Sequence, residues 1–557
     1  MTMRDQPDPR RTGSPPGGPP LDFQEHLARL EAAGLVVRVD RAIDKDTELH
    51  PLVRWQFQGG LREDQRRAFL FTNVTDCTGR RYDMPVAIGA LAASAQIYAV
   101  GMGCPVERIG DAWLRAIANP IAPERSKAAP CQEVVVKGDA LREAAGGLKL
   151  LPVPVSTPGY DAAPYLTATL CITQDPETGV RNMGTYRAGL KAVDRLGVRM
   201  AARPGGAGGY LHWQKYRKLK KPMPIAIVVG CAPVVMFTGP QKLPIDCDEM
   251  AVAGGLAGAP IRIVKAATLD LDVPADAEVV VEGLIDPEFL EPEGPFGESH
   301  GHVALEGYNM SMQVTAITHK RKPVWVSILS EVTPSESSVM KRVAYEPRYL
   351  AHLRDTLGIK GVRRVAMHEP LSNLRKIVFV QFASGTAHTE IWRALHGAAS
   401  LQADIGKYVI AISEDIDPDN PDAVFWSLAY RADPAKDVHI APYRSPGHGP
   451  KADTGSGRSA EESTMLVDAT QKELDPPLSL PKREYMERAR AIWQELGLPP
   501  LTQRQPWHGY SLGDWDPLWD TYASRAVSGR WEETGKETLA RRQAGLTPET
   551  PVKGSKR

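Results

Sequence analysis

The sequence predicts a mixed α/β protein, and three observations carry that expectation. Helical and strand patterns alternate from Leu21 to about residue 130, and again over residues 340–430. Between them, residues 131–330 hold short β-prone runs separated by turn residues, the texture of a barrel or sandwich. The chain has 557 residues, 42% hydrophobic and 24% charged, enough for about three or four globular domains.

Residues 1–20 are rich in Pro, Gly and Arg and are expected to be disordered. Phe23, Leu27 and Leu30 then recur at helical spacing, Gly34 ends that helix, and Leu35–Val39 reads as a strand. The middle region offers strands at Glu133–Val136, Tyr165–Ile172, Pro224–Val229, Ile261–Val264 and Glu278–Glu282. A small-residue helix over Asp246–Gly258 interrupts them, with Asp246 or Asp248 near its N-cap. Farther on, Val362–Met367, Lys376–Gln381 and Lys407–Ile412 read as strands and Thr389–Leu401 as a helix. Residues 431–480 read as a Pro/Gly/Ser/Asp-rich connection, followed by a helix over Pro481–Leu496 with proline near its start. Trp507, Trp515, Trp519 and Trp531 suggest a tail that docks on a surface or neighbour. The expected division is 1–20, 21–130, 131–330, 331–500 and 501–557.

Lys+Arg and Asp+Glu both number 67, which argues against a chain-wide electrostatic footprint for nucleic acid or anionic membrane. The densest basic run, Lys215–Lys221, is either a solvated face or a local phosphate contact. Six scattered cysteines form no CxxC pair, so neither a disulfide framework nor a cysteine zinc site is expected. A reducing cytoplasm fits, and the N-terminus shows no secretory pattern. The longest apolar stretch, Met223–Phe237, is too short to span a bilayer and contains Pro224 and Pro233.

Chemistry concentrates in Glu291-Pro-Glu-Gly-Pro-Phe-Gly-Glu298-Ser-His300. Two prolines and two glycines exclude a regular helix there. A constrained turn bearing Glu293 and Glu298 can aim an acid and a base into one cleft; read alone, it also suits an acidic surface loop. In Arg181-Asn-Met-Gly-Thr-Tyr-Arg187, Asn182 and Arg187 would face opposite ways on one strand, and Gly184 permits a bulge that reunites them. Arginine suits a substrate carboxylate because its planar fork binds both oxygens. Asn182, His212 and Glu249 offer an amide oxygen, an imidazole and a carboxylate. That sulfur-free set suits Mn²⁺, Mg²⁺ or Fe²⁺, although spacing does not show that the three converge.

Four motifs in order resemble the UbiD-type decarboxylases: Asn182-Met-Gly-Thr-Tyr-Arg187, His212-Trp213, Asp248-Glu249 before Ala253-Gly254, and Glu293-Gly-Pro-Phe-Gly-Glu298. The resemblance also takes in Leu27–Val39, Lys407-Tyr-Val-Ile410, Asp415-Ile-Asp-Pro418, Trp426 and Arg431, and covers roughly residues 21–500. It implies a central split β-barrel binding prenylated FMN, flanked by an N-terminal α/β domain and a C-terminal α/β oligomerisation domain. Asn182, His212 and Glu249 would hold a divalent ion against the flavin phosphate, with K⁺ nearby. Thr185, Tyr186, Arg187, Trp213, Gln214, Arg217 and Lys218 would line the cofactor. Arg187, Glu293 and Glu298 would be the catalytic trio. Some members carry arginine where His212 stands, or aspartate where Glu298 stands.

The resemblance further implies a cytoplasmic homo-oligomer, dimer to hexamer, that takes its flavin from a prenyltransferase. The reaction implied is reversible, non-oxidative decarboxylation of an aromatic, heteroaromatic or α,β-unsaturated acid, or of an aryl-CoA thioester such as phthaloyl-CoA. Ile328–Ser338, with Glu331 and Ser335–Ser338, is the expected specificity segment. Two rival readings are a noncatalytic flavin-binding subunit of a larger carboxylase and a hydrolase using Glu293 and Glu298 as its acid pair.

Overall fold

The structure is a computed structural model. It describes residues 17–143, 146–200, 207–243, 247–445, 449, 461–472, 479, 481–501, 517–547 and 550. The first helix, Phe23–Ala32, is capped by Asp22, whose side chain accepts from the Glu25 amide at 2.8 Å; Phe23, Leu27 and Leu30 face inward. It leads into Val36–Val39, which runs parallel to Ala68–Phe71. Val86–Ile88 and Trp325–Ser327 complete this four-stranded sheet. The last strand returns from the far end of the central region, so one chain segment stitches the two regions together.

The central sheet has nine strands. Its order runs Arg181–Gly184, Thr169–Gln174, Met223–Val229, Val279–Glu293, Gly307–His319, Arg195–Val198, Ala188–Ala192 and Tyr165–Leu166, with Val134–Lys137 also paired to Gly307–His319. All its pairings are antiparallel. Arg181–Gly184 forms one edge, and Ala188–Ala192 lies next to the other. Only Thr185–Arg187 joins them, a link reaching at most about 14 Å. The sheet must therefore curl until its margins meet, which makes a split barrel. This corrects the expected Gly184 bulge: Asn182 lies on one margin strand and Arg187 in the linker to the other, not on one bulged strand.

The C-terminal sheet has five strands in the order Val362–Met367, Ile377–Phe382, Tyr408–Ser413, Glu462–Ala469 and Val438–Arg444. Alternate residues enter two cores, Val378, Val380, Val409 and Ala411 on one side and Phe379, Ile410 and Ile412 on the other. Two of its strands fall where a connection was expected. Glu462–Ala469 is central and buried, but only Met465-Leu466-Val467 breaks its polar surroundings in sequence. Helix Glu336–Ala351 joins the bodies: Val339, Met340 and Ala344 pack in the large core, Tyr345 and Tyr349 in the C-terminal one.

Helix Arg483–Glu495 matches the pattern expected there. Trp519 lies in helix Pro517–Val527, and Trp531 opens helix Trp531–Ala540 with 64% of its surface exposed, so it is not packed on the described residues of this chain. Trp507, Trp515, Asp246 and residues 1–16 lie outside the described residues. No described helix is long and apolar enough to cross a membrane.

Candidate active site

The barrel margins meet around a cavity of about 830 Å³. Arg187 sits in the linker that bridges them. Glu293 ends the long strand Val279–Glu293, and a tight turn leads into the hairpin of Phe296–Gly297 with Val303–Ala304. Gly294 makes that turn possible at φ 102°, where a side chain would be strained. Asp161 braces the hairpin. Its carboxylate accepts from the Gly297 amide at 2.8 Å and from the amides of Thr157 and Ser156 at 2.7 and 3.1 Å.

Arg187 is thereby placed between both acids. Its Nε and Nη2 donate to the two Glu293 oxygens at 3.0 and 2.9 Å, and Nη1 donates to Glu298. Burial opposes the charge on this guanidinium, but Glu298 and Glu293 hold its pKa above the usual value. Phe296 stacks on it at 4.5 Å, and Tyr165 lies 5.9 Å away. Asn309 donates to Glu293 at 3.4 Å, and Arg199 lies 4.0 Å from Glu298. Glu293 is 1% exposed and Glu298 13%, so the second acid is the one open to the cavity.

Asn182, His212 and Glu249 also line the cavity. Asn182 pairs across the sheet with Thr173, whose hydroxyl meets His212 Nδ1 at 2.9 Å, and Glu249 accepts from the neighbouring Met183 amide at 3.0 Å. The three are thus gathered beside one strand pair. Burial pushes the Glu249 carboxyl up to about 7 and lowers His212. A neutral imidazole whose Nδ1 is already engaged keeps Nε2 available, and a buried carboxylate so disfavoured gains most from a cation. Gly208 leaves the space needed: a Cβ there would lie 2.0 Å from Asn182 Oδ1. This donor set fits a divalent ion.

Thr185, Tyr186 and Gln214 line the cavity, whereas Trp213, Arg217 and Lys218 do not. Helix Gly208–Leu219 explains the split. Gly208, Leu211, His212 and Lys215 share the cavity face at helical spacing, while Trp213 and Arg217 share another. Trp213 is buried and donates to the Asp286 carbonyl at 3.0 Å; Arg217 lies over its ring at 5.3 Å, and Lys218 is exposed. Lys215 is held by Asp175 and Glu177 at 2.7 and 2.8 Å. Of the expected specificity segment, Ile328, Ser330 and Ser337 reach the cavity. Glu331 pairs with Arg54, Ser335 caps a helix and Ser338 bonds Glu369. Sequence reasoning passed over Asp161, Tyr165, Arg199, Lys341 and Arg375, which carry no local motif.

Three domain models of 3-octaprenyl-4-hydroxybenzoate carboxy-lyase match in order: the N-terminal domain at residues 27–117, the Rift-related domain at 123–332 and the C-terminal domain at 338–469. The chain belongs to the UbiD family. An uncharacterized protein of Synechocystis sp. is 28% identical over 521 residues, 88% of this chain and 96% of that one. The UbiD-class enzyme HmfF of Pelotomaculum thermopropionicum, solved with FMN, is 29% identical, with a TM-score of 0.70 over 83% of this chain and 95% of its own. An evolved dimeric form of HmfF was solved with prFMN. The closed form of a vanillic acid decarboxylase of Sedimentibacter hydroxybenzoicus is 25% identical, with a TM-score of 0.69 over 85% of this chain and 99% of its own. The UbiD architecture of three consecutive domains is therefore the architecture of this chain.

Proposed function

We propose that the protein is a carboxy-lyase that decarboxylates, reversibly and without oxidation, an aromatic, heteroaromatic or α,β-unsaturated acid on prenylated FMN. The observation that carries this reading is Arg187 held by Glu293 and Glu298 at the wall of the cavity. Prenylated FMN, when bound, supplies the electron sink for the carbon that loses CO₂. Thr185, Tyr186 and Gln214, which line the cavity, would hold it, and Asn182, His212 and Glu249 would hold Mn²⁺, Mg²⁺ or Fe²⁺, with K⁺ as a further cation of the same reading.

Arg187 receives the substrate carboxylate. Glu293 occupies Nε and Nη2 from behind and fixes the plane of the fork. The incoming carboxylate competes with Glu298 for Nη1. Once displaced, Glu298 loses its cation partner and becomes a better proton holder. It takes up a proton from solvent through the cavity, delivers it to the substrate carbon after CO₂ leaves, and in the reverse direction accepts that proton and returns it to solvent.

The hydrolase reading needs carboxylates on either side of a scissile bond, whereas both acids here bind one guanidinium. An intact trio also disfavours the noncatalytic subunit. Self-association in the cytoplasm, with a prenyltransferase as flavin supplier, belongs to the same reading. Light scattering should give a multiple of 60.8 kDa.

Co-expression with a prenyltransferase, mass spectrometry of the bound flavin and a CO₂-release screen over aryl and α,β-unsaturated acids test the proposal. Glu298→Gln should retain flavin while losing at least about a hundredfold in turnover. Near-normal turnover in that variant would remove Glu298 from the mechanism. Absence of flavin from the co-expressed protein would overturn the whole reading.

A further inference from the structure

Where helix His388–Leu401 begins, it meets the strand pair of Val438–Arg444 with Glu462–Ala469, and three side chains outside the Arg187 cavity gather there: His388, Asp437 and Asp468. The Asp468 amide donates to the Asp437 carbonyl at 2.9 Å, which sets the two acids side by side. One ligand atom from each of the three lies within 4.8 Å of the others, an arrangement no other trio of His, Cys or acidic residues reaches among the described residues. Asp468 is fully buried and Asp437 is 6% exposed, whereas the His388 side chain is 62% exposed.

The carboxylate oxygens divide into used and unused. Asp468 Oδ1 accepts from the Thr470 amide and hydroxyl at 2.9 and 2.6 Å, and Asp437 Oδ2 accepts from the Asp433 amide at 2.8 Å. Asp468 Oδ2 is buried with no hydrogen-bond partner among the described residues. It faces His388 Nε2 at 3.6 Å. That nitrogen accepts from the Trp392 indole, which only donates, at 2.9 Å, so it carries no proton for the carboxylate. Two acceptors therefore face each other, against the rule that buried polar atoms are paired. Lys472 does not resolve this. Its ammonium sits 3.2 Å from Asp437 Oδ2 and 3.6 Å from Asp468 Oδ1, and it donates to the carbonyls of Arg431, Asp468 and Thr470. Two carboxylates share that one ammonium, so the cluster keeps a negative charge. The helix start does not resolve it either, since the Glu390 and Ile391 amides bond to the Ala387 carbonyl.

A cation between Nε2 and Oδ2 would satisfy both. Two ligands about 2.0–2.2 Å from a tetrahedral ion lie about 3.4 Å apart, close to the 3.6 Å seen here. An imidazole donor favours Zn²⁺ over Mg²⁺ or Ca²⁺, which prefer oxygen. We propose that His388, Asp437 and Asp468 form a second divalent-metal site, separate from the Asn182 group, which takes Zn²⁺ and clips the start of the helix to the strand pair. On binding, Nε2 exchanges the indole for the ion, and water completes the coordination from the groove that His388 lines with Trp392 and His396.

The test uses the full-length chain carrying Glu249→Ala, which removes the other carboxylate donor, after stripping with a chelator. Zn²⁺, Mn²⁺ and Mg²⁺ are titrated by calorimetry, and bound metal is counted by mass spectrometry. One Zn²⁺ per chain should bind and should raise the Tm. Adding His388→Ala, an exposed position, or Asp437→Asn should weaken Zn²⁺ at least about tenfold and remove the rise in Tm. Trp392→Phe deletes the competing N–H and should tighten Zn²⁺ about two- to tenfold, the worth of one hydrogen bond. No bound Zn²⁺, or an unchanged affinity in His388→Ala, overturns the site. A loss that follows His396→Ala instead assigns the ion to the surface pair of His396 and His439, whose rings lie 5.4 Å apart, and also overturns it. Mg²⁺ bound as tightly as Zn²⁺ overturns the choice of ion, and unchanged or weaker binding in Trp392→Phe overturns ligation through Nε2.

Discussion

Arg187 does two jobs that a lysine cannot combine. Its fork binds Glu293 through two nitrogens and still presents Nη1 to Glu298. Arg187→Lys keeps the charge and loses the plane, so the substrate carboxylate would meet a rotating point charge. Turnover should fall at least about a hundredfold through lost orientation, with flavin retained. Steady-state kinetics and the flavin spectrum check this, and a change confined to KM would reduce Arg187 to an anchor. Glu293 and Glu298 stood out in sequence because Gly294, Pro295 and Gly297 mark an unusual backbone around the acids, whereas Arg187 joined them only through the family resemblance. Lys341 and Arg375 did not stand out, since a single basic residue in a helix or before a strand looks like surface. Trp213, Arg217 and Lys218 were expected at the cofactor from the family resemblance. Helical rotation turns Trp213 and Arg217 to another face, and Lys218 lies farther along the helix, exposed and outside the cavity lining.

At the scale of elements, the acids are as good as the hairpin that aims them, and Asp161 is its brace. Three backbone amides converge on that one carboxylate. Burial raises its pKa to about 6 despite them. Asp161→Asn preserves shape but turns one acceptor into a donor facing an N–H. An unsatisfied buried amide costs about 1–3 kcal/mol, which would loosen the Phe296–Glu298 arm. Turnover should drop about tenfold or more while metal and flavin content stay near wild type, because the metal end does not touch this hairpin. Unaltered kinetics would show that the hairpin holds itself. The strands were readable wherever β-branched runs stood clear of turns, as in Met223–Val229. Glu462–Ala469 was hidden because its burial comes from neighbours that only the completed sheet supplies.

For the molecule as a whole, the three-part division was legible from texture, but the ties across it were not. Trp325–Ser327 completes the N-terminal sheet from the end of the central region, and buried histidines guard that join. His50 Nε2 meets Ser327 Oγ at 2.9 Å, and His26 Nε2 meets the Ala90 carbonyl at 2.7 Å. Burial lowers His26 to about 4 and His50 to about 3. Both groups have depressed folded-state pKa values. The stability they support is present above the unfolded value of about 6.5 and drains away as pH falls toward 4 and 3. For His26 alone the loss is about 3 kcal/mol by pH 4. Glu249, Glu336 and Glu346, each raised to about 7 by burial, run the opposite way and offset part of this slope. The decisive quantity is therefore a difference. Denaturant unfolding of wild type and of a His26→Gln/His50→Gln variant is compared from pH 7 to 4.5. The variant should start less stable at pH 7, because both buried rings are lost, and the gap should narrow as pH falls. A constant gap across that range would assign acid sensitivity to carboxylates elsewhere and leave the two histidines as packing alone.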